Sequence, residues 1–240
     1  MNSIQSMLFL AFPNVGEQDL LVPWELFRAL AWDMASRGEK LEVILGSFEE
    51  GLVSTHMGTA VQPERQITEA DRFDFILIPG GVGAGAQTKN ETLLRFVRAH
   101  RDEGRWVGAN CAGMGVLHRA GVLGNIEVTS SATLARRLAA QGTNVTQPRR
   151  AWKIVPEEKI FSAGGAGTVH PSTIALAWHL FGDGAGRGLA TGWDATPLFG
   201  ESLFSLEGPV MNDNEVLKAQ LQDAWEDVFL PNPSAMAVEN

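Results

Sequence analysis

The chain has 240 residues, 45% of them hydrophobic and 20% charged, with a mean hydropathy of -0.02. That balance supplies a sizeable core and excludes a disordered chain. Nineteen Lys and Arg against 28 Asp and Glu leave a formal net charge of -9, which argues against a nucleic-acid binder, because such proteins need a basic footprint to displace counterions from phosphates.

The basic pairs Arg136-Arg137 and Arg149-Arg150 are short and read as solvated surface. A single cysteine cannot close an internal disulfide, so a reducing, cytoplasmic setting is expected. The first residues lack the basic start, apolar stretch and cleavage site of a signal peptide. The apolar run Met7 to Phe12 is too short to span a bilayer.

Short apolar runs alternate with stretches of helical period. Met7 to Phe12 predicts a buried strand ending at Pro13. Leu20, Leu21, Trp24, Leu26, Phe27, Leu30 and Ala31 then form the stripe of a helix. Pro23 is expected in its first turn or at a bend. Further strands are predicted at Leu41–Leu45, Phe73–Ile78 and Trp106–Asn110, with helices over Glu91–His100 and Met114–Leu123. A helix around Leu134–Ala140 follows, then strand candidates at Lys153–Val155 and Ile160–Phe161. Helices over Pro171–Phe181 and Val216–Phe229 complete the pattern. Strands alternating with helices imply a largely parallel, doubly wound α/β sheet with helices on both faces. One domain over 1–230 is the simplest division, with 231–240 as a poorly ordered tail.

Ligands in such sheets bind beyond the carboxyl ends of the strands. The most informative segment there is Asn110-Cys111-Ala112-Gly113, where a buried strand runs straight into the cysteine and a helix begins. This is a nucleophile elbow in cysteine form. The helix N-terminus would favour a thiolate. A buried structural cysteine is the plainer alternative. Pro79-Gly80-Gly81 ends another apolar strand, and its glycines, with Ala112, are candidates to present backbone N–H groups as an oxyanion hole. The loop lacks the Lys-Ser/Thr of a P-loop and follows the wrong strand for a dinucleotide fingerprint. Asp19 sits among Leu20, Leu21 and Val22. It is either a carboxyl with a raised pKa, able to exchange a proton near neutrality, or a helix N-cap. Glu25 is a network member or a surface residue. His170, between a glycine-rich run and Pro171, is a possible base for Cys111 or simply a helix-entry residue. The histidine spacing offers no metal motif. Trp24, Trp152 and Trp193 are candidates for an apolar pocket, or plain core.

These segments resemble the ThiJ/PfpI superfamily, specifically its isonitrile hydratase branch. The similarity is carried by Phe12-Pro13 through Gln18-Asp19-Leu20-Leu21-Val22-Pro23-Trp24-Glu25-Leu26-Phe27, by Phe75 to Gly81, and by Gly108 to Gly113. It continues through Phe161 to Gly165 and Gly192 to Phe199. The resemblance implies a flavodoxin-like fold and, usually, a homodimer with each site near the subunit interface. It implies Cys111 as nucleophile toward an isonitrile carbon, Asp19 as proton carrier, an N-substituted formamide as product, and no cofactor or metal. The chain departs from the branch at four positions. Ala112 stands for a usual Thr, Ser131 for a common His, His170 for an acidic residue and Gly192 for a glutamate. The pocket lining changes while nucleophile and acid remain, so substrate or reaction is expected to differ. Glyoxalase-like or hydrolytic chemistry is a second enzymatic reading, although those branches more often carry His directly after the cysteine. A redox or ligand sensor using Cys111 is the non-enzymatic one.

Overall fold

The computed structural model describes residues 4–196 and 200–232. Seven strands form one sheet in the order β5-β2-β1-β6-β7-β9-β8. They are β1 (Ser6–Leu10), β2 (Glu42–Ser47), β5 (Arg65–Gln66), β6 (Phe75–Ile78), β7 (Trp106–Asn110), β8 (Trp152–Val155) and β9 (Ile160–Ala163). Every pairing is parallel except β8 with β9. The central strands are buried along almost their whole length. This explains why they read as continuous apolar runs and not as alternating ones.

Helices cover both faces. On one side lie α1 (Glu17–Ser36), α6 (Val169–Phe181) and α7 (Asp183–Gly192). On the other lie α2 (Ala84–Gln87), α3 (Glu91–Asp102), α4 (Met114–Ala120), α5 (Ala132–Ala140) and α8 (Glu215–Phe229). Asn90 and Asn214 cap α3 and α8 by accepting from the N–H of Leu93 and Leu217, as short polar side chains at helix entry do. Among the described residues no helix is long and apolar enough to cross a membrane. The segment Pro197-Leu198-Phe199 of the last sequence motif lies outside the described residues, as does the tail beyond residue 232.

Three departures from the sequence reading matter for the site. Pro23, expected in the first turn or at a bend, lies beyond the first turn. It is the seventh residue of α1 and buried, so the Asp19 carbonyl, four residues earlier, has no intrahelical N–H to accept. A hairpin of β3 (Val53–Ser54) and β4 (Ala60–Val61) was not legible in its mixed sequence. It packs beside β1's exit through Asn14 N–H to Ser54 O at 2.7 Å and His56 N–H to Val15 O at 2.8 Å. Arg149, expected on a solvated surface, is only 9% exposed. It is buried because it ion-pairs with Asp213 and donates to the Ser130 carbonyl at 3.2 Å.

Candidate active site

The exits of β1, β6 and β7 lie side by side in the sheet, and their three loops meet over its carboxyl edge. Cys111 directly follows β7 with a backbone φ of 50°. A residue with a Cβ pays of order 1–3 kcal/mol for this left-handed geometry. The surroundings hold it there. The Cys111 N–H donates to Gly164 O at 2.8 Å, and Ser130 Oγ donates to Cys111 O at 3.2 Å. Immediately after it, Gly113 packs its bare Cα against the backbone of Ile78 and Pro79. The elbow predicted from sequence is therefore present, and it leaves the cysteine half-buried.

Asp19 lies in the first turn of α1 and is 4% exposed. It is not the N-cap, a position held by Gly16. Its carboxyl hydrogen-bonds with the Cys111 thiol, while Oδ1 is buried without a partner. Burial pushes the carboxyl up to about 7, against the lowering effect of the thiol, and the nearby charge of Glu17 adds to the rise. Glu17 itself is held below the usual carboxylate range. Burial works against its charge, but the Thr55 hydroxyl and the Met57 N–H outweigh it by donating to its Oε1.

The thiol does not follow the sequence expectation. Burial first, and then the Asp19 charge, raise Cys111 well above an ordinary cysteine, although the N–H groups of Ala112 and Gly81 both point at sulfur and lower it. The short 3-10 turn Cys111–Gly113 that follows β7 offers less dipole than a full helix start. Above neutrality the Asp19–Cys111 pair thus keeps one proton between two atoms, and both groups ionise together only with difficulty.

Because the folded Asp19 value lies above its unfolded one, the stability conferred by its proton is fully present below about pH 4 and is lost as pH rises through 7. Asp19→Asn is therefore expected to be more stable than wild type by about 4 kcal/mol at pH 8, and to lose that advantage at pH 4. Urea unfolding of both proteins at the two pH values measures this. A constant difference would remove Asp19 as the titrating group.

The glycines contribute more by lacking a side chain than by donating. A Cβ on Gly80 would lie 2.6 Å from Cys111 Cβ, 2.7 Å from Asp19 Oδ2 and 2.9 Å from the Ala112 nitrogen. The N–H of Gly80, expected as an oxyanion donor, is instead used by Asn110 Oδ1 at 3.1 Å. Gly81 and Ala112 are the donors that reach sulfur.

The remaining candidates divide. Ser131 is buried at the N-cap position of α5 and shares a hydrogen bond with Thr133 at 2.9 Å. Its Cβ would lie 3.9 Å from a Cβ on Gly165, beside the segment that holds the elbow. His170 is exposed in the first turn of α6. Trp152 is fully buried in β8, with its indole N–H donated to Ser205 O at 3.0 Å. It is core and not pocket lining, because Gly208 packs against its ring. Glu25 is exposed, and with Trp24, Arg28, Trp32, Glu64 and Trp193 it lines a surface groove of about 620 Å³ on α1. Among the described residues no group of three or more His, Cys, Asp or Glu is placed to hold a metal ion. Sequence reasoning missed Asn110. The only signal was one amide at the end of an otherwise apolar strand.

Comparison with known proteins agrees with this architecture. The chain is 26% identical over 174 residues to an isonitrile hydratase of Pseudomonas putida, covering 72% of this chain and 71% of that one. It is 29% identical over 126 residues to the deglycase PfpI of Pyrococcus furiosus, covering 52% and 70%. A ThiJ/PfpI family protein from Pseudomonas syringae superposes with a TM-score of 0.71 at 17% identity, covering 95% of this chain and 88% of that one. DJ-1beta of Drosophila melanogaster gives 0.67 at 19% identity, covering 79% and 97%. The model of the DJ-1/PfpI family matches residues 5–174, and the chain belongs to that family.

Proposed function

We propose that the protein is a cofactor-free, cysteine-dependent enzyme of isonitrile hydratase type. It would add water to a small neutral isonitrile and act as a homodimer of one domain per chain. The observation that carries the reading is the Asp19–Cys111 pair, with two backbone N–H groups aimed at sulfur. Such a pair suits an electrophile that must receive both a nucleophile and a proton at one carbon. Sulfur bonds to the isonitrile carbon while a proton, relayed by Asp19, goes to the same carbon, giving an enzyme-bound thioimidate. Water then adds to that carbon and the nitrogen takes a proton. The carbon–sulfur bond breaks, the thiol regains its proton, and an N-substituted formamide leaves. A carboxyl titrating near 7 can give and accept the proton within one cycle.

The glyoxalase-like alternative is supported by the resemblance to PfpI, which is named a deglycase. Incubation with cyclohexyl isonitrile, followed by mass spectrometry, is expected to yield the formamide faster than a protein-free control. No formamide, together with turnover of a dicarbonyl, would replace the first reading by the second.

A further inference from the structure

Asn110 is 2% exposed at the end of β7. A buried amide needs partners, and each unmet donor or acceptor costs of order 1–3 kcal/mol. Its partners lie in the other two site loops. Oδ1 accepts from the Gly80 N–H at 3.1 Å, and Nδ2 donates to the Asp19 carbonyl at 2.9 Å. An N–H can only donate and a carbonyl can only accept, so the amide has a single orientation. The Asp19 carbonyl is the very group left without a helical donor by Pro23.

Two facts that look unrelated in the sequence are thus complementary. Proline inside α1 removes one hydrogen bond from the helix, and Asn110, 91 positions after Asp19, supplies another from the strand that leads to the cysteine. An apolar residue at 110 would satisfy neither partner. An aspartate would set a third acidic group against Asp19 and Glu17.

We infer that Asn110 is a positioning residue. Through the carbonyl that Pro23 frees, it fixes the first turn of α1 to the elbow strand and so sets the distance between the Asp19 carboxyl and the Cys111 thiol. The inference rests on the reading above only in taking those two groups as the reacting pair. The side-chain hydrogen bonds of Asn110 go to the backbone of Gly80 and Asp19 and not to sulfur. Its effect passes through the backbone of Asp19 on one side and the backbone of Gly80 on the other.

The test separates positioning from simple hydrogen-bond satisfaction. Asn110→Leu leaves the Asp19 carbonyl without a donor. Asn110→Leu combined with Pro23→Ala returns a helical N–H to it but does not restore the link to β7. Two readouts are needed, the melting temperature and the pH profile of Cys111 alkylation by iodoacetamide. The groups that set this profile are Cys111, Asp19 and, behind Asp19, Glu17.

Asn110→Leu should melt lower, and its alkylation midpoint should move to lower pH as the Asp19 charge leaves the thiol. Its kcat on an isonitrile should fall about 100-fold with KM little changed, the signature of lost alignment. The double variant should regain most of the melting temperature while alkylation and kcat stay impaired. If alkylation returns to wild type along with stability, or if Asn110→Leu alkylates like wild type, the inference is wrong. Should the single variant fail to fold, the double variant decides on the same readings. Alkylation does not depend on the substrate. A shifted profile in a protein that makes no formamide would therefore reject the isonitrile reading and keep this one.

Discussion

Cys111→Ala should reduce formamide production by about 10⁴-fold or more, with the fold retained. The chain contains no second cysteine, so no neighbouring thiol can substitute. Among the described residues sulfur is the strong nucleophile at the meeting point of the three loops, and the N–H groups of Ala112 and Gly81 converge on its position. What remains in the variant is an acid and two donors, and polarisation alone gives only slow water addition. Cys111→Ser tests the same point without changing volume. Its hydroxyl is a far weaker nucleophile than sulfur and has no strong base beside it, because Asp19 titrates near 7. Turnover by either variant at the wild-type rate would move the chemistry away from the elbow.

The largest loss of stability is expected from Gly81→Ala. Gly81 has φ +101°, and an added Cβ would lie 2.6 Å from the Val15 carbonyl carbon and 2.7 Å from Asn14 O. Both clashes are with backbone, which cannot swing aside as a side chain can. The two loops are also tied at this point, by Gly16 N–H to Gly80 O at 2.9 Å and Gly83 N–H to Asn14 O at 3.0 Å. The substitution therefore combines left-handed strain with overpacking and should cost about 3 kcal/mol or more. Gly167→Ala is the control. Nothing lies within 4 Å of its added Cβ, and the change should stay within about 0.5 kcal/mol. Urea unfolding of both variants measures the contrast, and equal stabilities would show that the loops are looser than their geometry.

Much of this was readable before any coordinates, for identifiable reasons. β1, β6 and β7 are buried on both faces, so their sequences are nearly pure apolar runs, and the glycines at their exits mark where backbone meets backbone. The elbow followed from a cysteine at a strand end with small neighbours. The weaker elements were hidden by their composition. α7 contains four glycines within Asp183–Gly192, and its helix is fixed by packing on α6, with Gly186 against Trp178, where propensity alone would refuse it. The β3–β4 hairpin has two residues per strand, too few for any period to show.

In the site, the identities of Cys111 and Asp19 were legible and their proton affinities were only half so. For Asp19 the sequence left a raised carboxyl and a helix N-cap open; the N-cap is Gly16, and burial raises the carboxyl. The helix start suggested a lowered Cys111, and burial first, then the charge of a carboxyl 92 positions away in the chain, raise it instead. Trp152 was left open between pocket and core, because a tryptophan near a motif looks the same in sequence in either place, and its full burial makes it core. Asn110 was passed over because its two partners lie in distant segments, and one of them matters only through what Pro23 lacks.

The glycines around the elbow also bear on how the protein can be redesigned. Gly80, Gly81, Gly83 and Gly113 sit in a layer where any added Cβ meets backbone at once, so a mutant library aimed at the floor of the site would consist mostly of unfolded members. The segment after β9 behaves differently. Beyond Gly164, a Cβ on Gly165 meets only Ser131 at ordinary van der Waals distance, and one on Gly167 meets open space. Side chains introduced at 165 and 167 should therefore leave the packing of the elbow unchanged, and a library that is to keep the fold should begin with those two codons.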